Sequence, residues 1–201
     1  MKAIVFHEHG SLENVTIADV FRPEIGADEV LVEVKAAALN RLDLWVLAGW
    51  PGLNLKMPHI MGSDGAGVIA EVGSSVTGFA VGDRVTVNPS LSCRTCDFCV
   101  SGRDNLCNRF AIFGEHVDGF LAEFTAVPTR NLVKMPDHAG FTDAAAASLV
   151  FVTAWHSLIT RAGLKAGESI LIVGAGGGVA PPPRPERDAP LPRAPGVRGR
   201  P

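Results

Sequence analysis

The chain has 201 residues, of which 47% are hydrophobic and 19% are charged, and its formal net charge is −3. This length and apolar content suffice for one large domain or two small ones, and the mild acidity argues against a nucleic-acid-binding surface. Each apolar run is interrupted by Gly, Pro or a charge before the ~18 residues of a membrane span, and the N-terminal apolar patch is too short for a secretory signal. We therefore expect a cytoplasmic protein that binds neither nucleic acid nor membrane.

The first 136 residues predict a small antiparallel barrel. Short segments rich in Val, Ile and Phe, bounded by Gly, Pro or Asp, have the pattern of strands. These segments are residues 2–6, 30–34, 67–72, 84–88 and 121–127. A helical turn is expected near residues 41–48.

From Phe141 onward the pattern changes to a helix and then to a glycine-rich turn. Thr142 can cap a helix, and residues 143–161 are rich in Ala, with apolar residues at helical spacing. The apolar run at 169–173 predicts a strand, and the glycine-rich residues 174–178 follow it at once. A strand that leads into such a turn is how a dinucleotide-binding βαβ unit begins.

The last 22 residues differ from the rest in composition. Residues 180–201 contain eight of the 14 prolines and carry a net charge of +3, whereas residues 1–179 carry a net charge of −6. Three consecutive prolines at 181–183 exclude the helix that should follow the glycines, because proline lacks a backbone N–H and breaks helices. We expect a disordered tail over residues 180–201.

All four cysteines lie within 15 residues, at Cys93, Cys96, Cys99 and Cys107. Two-residue spacers let consecutive thiolates converge, and the longer arm brings back the fourth, which is the spacing of a tetrahedral zinc site. Four thiolates leave no open position for water, so we expect a structural Zn²⁺ in a lobe at residues 90–110. Disulfides and buried free thiols are the alternatives, and the lack of a secretory signal disfavours disulfides.

The segment GDRVTVNPSLSCRTCDFCVSGRDNLC resembles the structural-zinc lobe of the medium-chain dehydrogenase/reductase superfamily, which includes zinc-type alcohol dehydrogenases and quinone oxidoreductases. The segments AAALNRLDLW, GSDGAGVIAEVG and SILIVGAGGGV resemble further family segments in the same order. The resemblance implies a mainly β fold: a GroES-like barrel at 1–136, then the start of an NAD(P)-binding Rossmann domain at 137–179. That second part would comprise a bridging helix and the first strand of an incomplete Rossmann domain.

The resemblance also bears on a second metal. Alcohol dehydrogenases of this family hold a catalytic zinc that polarises the substrate oxygen. Its ligand positions fall here on Asn40, on Ser63 within a Gly-Ser-Asp triplet, and on Leu149. None of these side chains binds zinc well, and the four cysteines are already used in the lobe. We therefore expect hydride transfer without a catalytic zinc, as in the quinone oxidoreductase-like branch.

By the same resemblance, the expected catalytic residues are Asn40, Asp43 and Thr153. Asn40 would contact the nicotinamide or its ribose. Asp43 belongs either to a polar network in the cleft or to the first turn of a helix, where the helix dipole favours an acid. Asp64 either lines the cleft or satisfies backbone donors at a tight turn. The expected cofactor-binding residues are Asn40, Thr153, Gly174, Gly176, Gly177 and Gly178.

The function expected from these features is that of an NAD(P)H-dependent oxidoreductase, with NADPH favoured, acting on a small quinone, enone or related carbonyl substrate. Its intact relatives are expected to be homo-oligomers. The residue that selects NAD or NADP would fall about 20 residues beyond the glycines, inside the proline-rich tail. A second hypothesis is a catalytically silent, zinc-stabilised fragment that lacks the cofactor domain, produced by truncation or by a change of reading frame near codon 180. A nucleic-acid-binding zinc ribbon has little support because residues 1–179 are acidic.

Overall fold

The computed structural model describes residues 1–174 and 177–179. It divides the chain into two compact units, Met1–Leu149 and Val150–Pro201. The second unit is described over residues 150–174 and 177–179, so the tail expected at 180–201 lies outside the described residues.

Antiparallel sheets make up most of the first unit. The five-stranded sheet has the order β10-β6-β5-β3-β9, a three-stranded sheet has the order β2-β1-β4, and β7 pairs with β8. The strands are β1 Lys2–Phe6, β2 Val15–Asp19, β3 Glu29–Ala38, β4 His59–Ile60, β5 Asp64–Val72, β6 Arg84–Val87, β7 Ser90–Leu91, β8 Ala111–Ile112, β9 Phe124–Pro128 and β10 Leu132–Lys134. This arrangement confirms the mainly β fold.

The helices of the described residues are short, with one exception. They are α1 Arg41–Ala48, α2 Asp97–Val100 and α3 Phe141–Trp155, and α3 continues into a π-helical segment, His156–Arg161. Asn40 is the N-cap of α1. The backbone N–H of Asn40 donates a hydrogen bond to the Asp43 carboxylate, which stabilises the first turn of the helix. Single 3₁₀ turns lie at Leu12–Asn14, Asp104–Leu106 and Thr129–Asn131.

Each strand predicted within the first 136 residues is found, although the boundaries differ. The segments 30–34 and 67–72 are parts of the longer strands β3 and β5, and the segment 121–127 becomes a strand only from Phe124 onward. The helical turn expected at 41–48 coincides with α1.

The structure differs from the expectation at residues 169–173, which form no β-ladder within the described part of the chain. A strand obtains its hydrogen bonds from neighbouring strands. The described residues of the second unit contain no other strand with which this segment could pair. Local apolar sequence alone is therefore not enough to make it a strand.

The barrel core is a cluster of buried aliphatic and aromatic side chains. It consists of Val30, Val32, Ile69, Val85, Val87, Phe113, Phe120, Val127 and Leu132. A second cluster, of Phe6, Val46, Leu47 and Met61, packs α1 against β1. Val46 and Leu47 belong to the last turn of α1, so the second cluster anchors the helix whose N-terminal end lies at the candidate site.

The longest helical stretch, Phe141–Arg161, is long and apolar enough to cross a membrane by length and composition alone. This corrects the expectation that no segment meets that criterion. The charged residues Asp143 and Arg161 lie near its two ends, so its interior is uncharged. Core helices of soluble proteins meet the same criterion, so it does not by itself place this helix in a membrane.

Candidate functional site

The four cysteines of the lobe converge in space. Their Sγ atoms all lie within 4.8 Å of one another. The Sγ atom of Cys99 lies 3.8 Å from that of Cys93 and 3.5 Å from that of Cys96. Tetrahedral coordination with Zn–S bonds of ~2.3 Å places the sulfurs about 3.8 Å apart. The cluster is therefore suited to a structural zinc, and the four thiols are free rather than paired in disulfides.

Backbone N–H groups donate hydrogen bonds to the sulfurs of Cys93 and Cys107. The Cys96 N–H donates to Cys93 Sγ at 3.4 Å, and Cys107 Sγ accepts from the N–H groups of Cys93 and Arg109 at 3.4 and 3.3 Å. Hydrogen bonds led by that of the Thr95 backbone N–H lower the pKa of Cys93 to about 5, whereas burial raises the pKa of Cys99 to about 11. The donors around Cys93 thus favour its thiolate, which is the form that binds a metal.

A second polar cluster lies where β3 ends and β5 begins. The last pair of the β3–β5 ladder is Ala38 with Asp64, so Asn40 comes beside the first residue of the neighbouring strand. Asn40 Nδ2 donates to Asp64 Oδ2 at 2.8 Å, and the Leu149 N–H donates to Asp64 Oδ1 at 2.7 Å. One carboxylate thus joins the start of α1 to α3, and we call Asn40, Asp43, Ser63, Asp64 and Leu149 the Asp64 cluster.

The Asp64 cluster contains the three positions at which the resemblance places the ligands of a catalytic zinc. An amide, a hydroxyl and an aliphatic side chain occupy them, on Asn40, Ser63 and Leu149 respectively. Zinc in proteins is held by thiolates, imidazoles and carboxylates, and within the Asp64 cluster Asp43 and Asp64 are the residues that carry such a group. Both oxygens of Asp64 accept hydrogen bonds from Asn40 and Leu149, and one oxygen of Asp43 accepts from the Asn40 N–H. This donor set does not match a catalytic zinc site.

Two carboxylates are buried in the Asp64 cluster, with Asp43 3% and Asp64 1% exposed. Burial raises the pKa of Asp64 to about 6. The hydrogen bonds from Asn40 and Leu149 oppose this rise, and the charge of Asp43 adds to it. Burial also raises the pKa of Asp43, against the hydrogen bond from the Asn40 N–H. The ion pairs of the described residues involve neither carboxylate. Hydrogen bonds, rather than a neighbouring cation, therefore stabilise the charges of Asp43 and Asp64.

The same cluster has unused hydrogen-bonding capacity. Asp43 Oδ1 and Ser63 Oγ are buried and have no hydrogen-bond partner among the described residues. Buried polar atoms without a partner are uncommon and are often found where a ligand or water completes a site. Ser92 Oγ and Asn131 Oδ1 share this property elsewhere in the first unit, but the Asp64 cluster combines two such atoms with two buried carboxylates.

The remaining candidate residues belong to the second unit. Thr153 is exposed on α3. Gly174 has a positive φ of 76°, and its carbonyl oxygen accepts from the Gly177 N–H at 2.9 Å. Gly178 is described and exposed, whereas Gly176 lies outside the described residues.

Comparison with known proteins gives a consistent assignment. The profile of the alcohol dehydrogenase GroES-like domain matches residues 26–137. The chain is 39% identical over 180 residues to an alcohol dehydrogenase of Geobacillus stearothermophilus, covering 88% of this chain and 52% of that protein. It is 35% identical over 179 residues to an acryloyl-coenzyme A reductase of Metallosphaera sedula, covering 89% of this chain and 53% of that protein.

A solved structure supports the same assignment. The cobalt- and zinc-bound thermostable alcohol dehydrogenase from Pyrobaculum aerophilum superposes with a TM-score of 0.80 at 38% identity, covering 89% of this chain and 54% of that one. The chain spans about half the length of the curated relatives that it matches.

Proposed function

The chain belongs to the alcohol dehydrogenase GroES-like family of the medium-chain dehydrogenase/reductase superfamily, and on this premise we propose that the protein is an NAD(P)H-dependent oxidoreductase. The proposed reaction transfers a hydride from NADPH to a small quinone, enone or related carbonyl compound without a catalytic zinc. Its relatives include an alcohol dehydrogenase and an acryloyl-coenzyme A reductase. The name of the second relative denotes an electron-poor alkene as substrate, which supports this choice of substrate class.

The make-up of the Asp64 cluster carries the proposal that no catalytic zinc takes part. Asn40, Ser63 and Leu149 offer neither a thiolate nor an imidazole, and both oxygens of Asp64 accept hydrogen bonds from within the cluster. Among the described residues, the four cysteines are the group of His, Cys, Asp or Glu ligand atoms that converge for a metal. Zinc in this protein is therefore proposed to stabilise structure and not to polarise the substrate.

We propose the following roles for the residues of the Asp64 cluster. When bound, the nicotinamide cofactor supplies the hydride. Asn40 is half-buried, and its carboxamide, held by Asp64, hydrogen-bonds the nicotinamide or its ribose. Asp43 fixes the Asn40 backbone through the N–H at 2.6 Å. Hydride transfer requires the reacting carbons to lie ~3–3.5 Å apart, so groups that fix orientation contribute to the rate directly.

The proposed cofactor-binding residues in the second unit are Thr153 and the glycines at 174, 176, 177 and 178. The positive φ of Gly174 suits glycine, because other residues are strained there. Glycines at such a turn allow the backbone to approach a phosphate closely and to donate its N–H groups.

We further propose that residues 1–136 form the GroES-like domain and 137–179 the start of the cofactor domain. The protein would act in the cytoplasm on a small-molecule substrate, and intact forms would be homo-oligomers.

Zn²⁺ bound to Cys93, Cys96, Cys99 and Cys107 would hold the lobe at 90–110. We expect Cys107→Ser to make this lobe sensitive to limited proteolysis while the barrel stays resistant, and Ser101→Ala in the same lobe to have no effect. Unfolding of the whole barrel in Cys107→Ser would contradict the independence of the lobe.

The second candidate, a catalytically silent zinc-stabilised domain, is favoured by one observation on the second unit. Several of its large apolar residues are largely exposed, including Trp155, Leu171 and Val173, and residues 169–173 form no ladder within the described part of the chain. We therefore propose that these 201 residues alone do not hold NADPH firmly enough for hydride transfer.

One experiment tests both candidates. NADPH is titrated by fluorescence into this chain and into a form that carries a complete nucleotide-binding domain, and the reduction of a quinone and an enone is assayed in both. In the longer form we expect NADPH binding and substrate reduction, and in this chain neither. Chelators too weak to remove zinc from the lobe should not change the activity of the longer form. Reduction by the 201 residues alone would refute the silent-domain candidate, and no reduction by the longer form would refute the oxidoreductase.

A further inference from the structure

The two ends of the Asn40 carboxamide are chemically different, and Asp64 determines which end faces which way. An ionised carboxylate can only accept hydrogen bonds, whereas an amide has an N–H₂ end that donates and an oxygen end that accepts. Because Asp64 Oδ2 lies 2.8 Å from the Asn40 side chain, the N–H₂ end must face it. The Oδ1 atom and the second hydrogen on Nδ2 therefore keep fixed directions for other partners.

An aspartate at position 64 is not needed to fill the space. Asparagine has almost the same shape, and it would avoid the cost of a buried charge that has no cation partner among the described residues. Asparagine cannot, however, accept on both of its ends. If its oxygen accepts from the Leu149 N–H, its N–H₂ end faces Asn40, and the Asn40 carboxamide must then turn over to present its oxygen.

We propose that Asp64 is a positioning residue, whose ionised carboxylate fixes the orientation of the Asn40 carboxamide that faces the nicotinamide or the substrate. The inference rests on the proposed function for its consequence in catalysis, but the hydrogen bonds on which it depends lie within the first unit. Asp64 is 1% exposed and acts through Asn40, so it is not itself a catalytic residue.

The surroundings of Asp64 keep this arrangement well defined. The charged group whose field reaches it is Asp43, from α1. Its neighbours on the other two elements are Ala38 on β3 and Leu149 on α3, which carry no titratable side chain. Asp43 also holds the Asn40 backbone N–H, so backbone and side chain of Asn40 are fixed by two different carboxylates.

The first arm of the test follows Asn40 directly, by nuclear magnetic resonance of its side-chain amide in the 201-residue chain. Between pH 4.5 and 8 the resonances should shift with a midpoint near 6, the pKa of Asp64, together with the backbone amide of Leu149. In Asp64→Asn both shifts should disappear, and the Asn40 amide should take up a different chemical shift. An Asn40 side chain whose resonances are the same in both proteins at pH 7.5 would overturn the proposal.

The second arm measures catalysis in the form that carries a complete nucleotide-binding domain. We expect Asp64→Asn to lower kcat/KM about 10- to 100-fold, mainly through kcat, as loss of groups that orient an active side chain does. The melting temperature at pH 7.5 should not fall, so the loss cannot be attributed to unfolding. Thr125→Val, which removes a buried hydrogen bond to the Gly119 carbonyl oxygen elsewhere in the barrel, should leave kcat/KM unchanged.

Retention of kcat/KM within twofold in Asp64→Asn, or a loss that is accompanied by an equal loss in Thr125→Val, would overturn the proposal. The absence of NADPH-dependent reduction in the unsubstituted longer form would instead refute the proposed function. In that case the resonances of Asn40 and Leu149 still decide whether Asp64 sets the orientation of the amide.

Discussion

Phe120 in the barrel and Phe151 on α3 are equally large and apolar, but Phe120 is fully buried and Phe151 is 52% exposed. Phe120 packs against Phe113, with ring centroids 5.1 Å apart, inside a cluster drawn from several strands. In the second unit Leu171 and Val173 are 89% and 88% exposed. An apolar pattern in the sequence therefore shows that a side chain is suited to burial. It does not show that the side chains against which it would pack lie among the described residues.

The largest expected effect on stability is that of truncating Phe120, and the same truncation of Phe151 is its matched control. Phe120→Ala should lower the free energy of unfolding by about 3–5 kcal/mol, because it leaves a cavity in the barrel core. Phe151→Ala should cost less than about 1 kcal/mol. Urea unfolding followed by circular dichroism measures both, and equal losses would show that Phe151 is as well packed as Phe120.

A pair of glycines sharpens the same comparison. A Cβ atom at Gly67, within β5, would collide with the carbonyl oxygen of Glu33 on β3, so we expect Gly67→Ala to destabilise by about 2–3 kcal/mol. Gly163 in the second unit has a positive φ of 64° and open space around it. There Gly163→Ala should cost about 1 kcal/mol, from backbone strain alone. A smaller effect at Gly67 than at Gly163, in the same urea experiment, would contradict the tight β3–β5 pairing.

The charge of Asp64 should make the stability of the barrel depend on pH. Burial raises its pKa from 3.8 to about 6, so between these values the folded chain binds more protons than the unfolded chain. The contribution of Asp64 to stability is therefore present below pH ~4 and is lost as the pH rises to ~6. A rise in pKa of this size corresponds to about 3 kcal/mol as an upper bound.

Removing that charge should consequently stabilise the protein at neutral pH. We expect Asp64→Asn to raise the free energy of unfolding by about 1–3 kcal/mol at pH 7.5, and to have a much smaller effect at pH 4. Urea unfolding at the two pH values measures the difference. Destabilisation at pH 7.5 that exceeds the effect at pH 4 would mean that the ionised carboxylate stabilises the fold.

The smallest effect on stability is expected at the exposed apolar residues of the second unit. The double variant Leu171→Ser and Val173→Ser should change the free energy of unfolding by less than about 0.5 kcal/mol. It should nevertheless reduce self-association in sedimentation experiments, because exposed apolar patches drive association. The matched barrel variant Val85→Ser, at a fully buried position, should instead destabilise by more than about 2 kcal/mol. Unchanged self-association in the double variant would show that Leu171 and Val173 do not drive association.

The sequence predicts those parts of the fold whose signal is local. Alternating or continuous apolar runs mark β1, β3 and β5, and the cysteine spacing marks the lobe. The short strands β4 and β7 carry no such signal, because they are defined by pairing with distant residues: His59 with Phe6, and Ser90 with Ile112. Residues 169–173 are the opposite case, since the local pattern of a strand is present and no pairing follows within the described part of the chain.

The same limit applies to the Asp64 cluster. The resemblance predicted Asn40 and Asp43 as site residues. For Asp64 it left two alternatives, a position that lines the cleft or one that satisfies backbone donors at a tight turn. The structure shows a third arrangement, in which Asp64 accepts from the backbone of Leu149, 85 residues away. A backbone N–H is the same in every residue except proline, so no pattern of side chains could have revealed this contact.

Zinc content per chain is the measurement that tests most directly whether this molecule uses metal for structure alone. Metal analysis of the purified chain, with Cys107→Ser beside it, should find one Zn²⁺ per chain in the first and none in the second. Two Zn²⁺ per chain would contradict a site that is built around Asn40 and Asp64 without a catalytic metal, and zinc retained in Cys107→Ser would contradict the requirement for all four thiolates in the lobe.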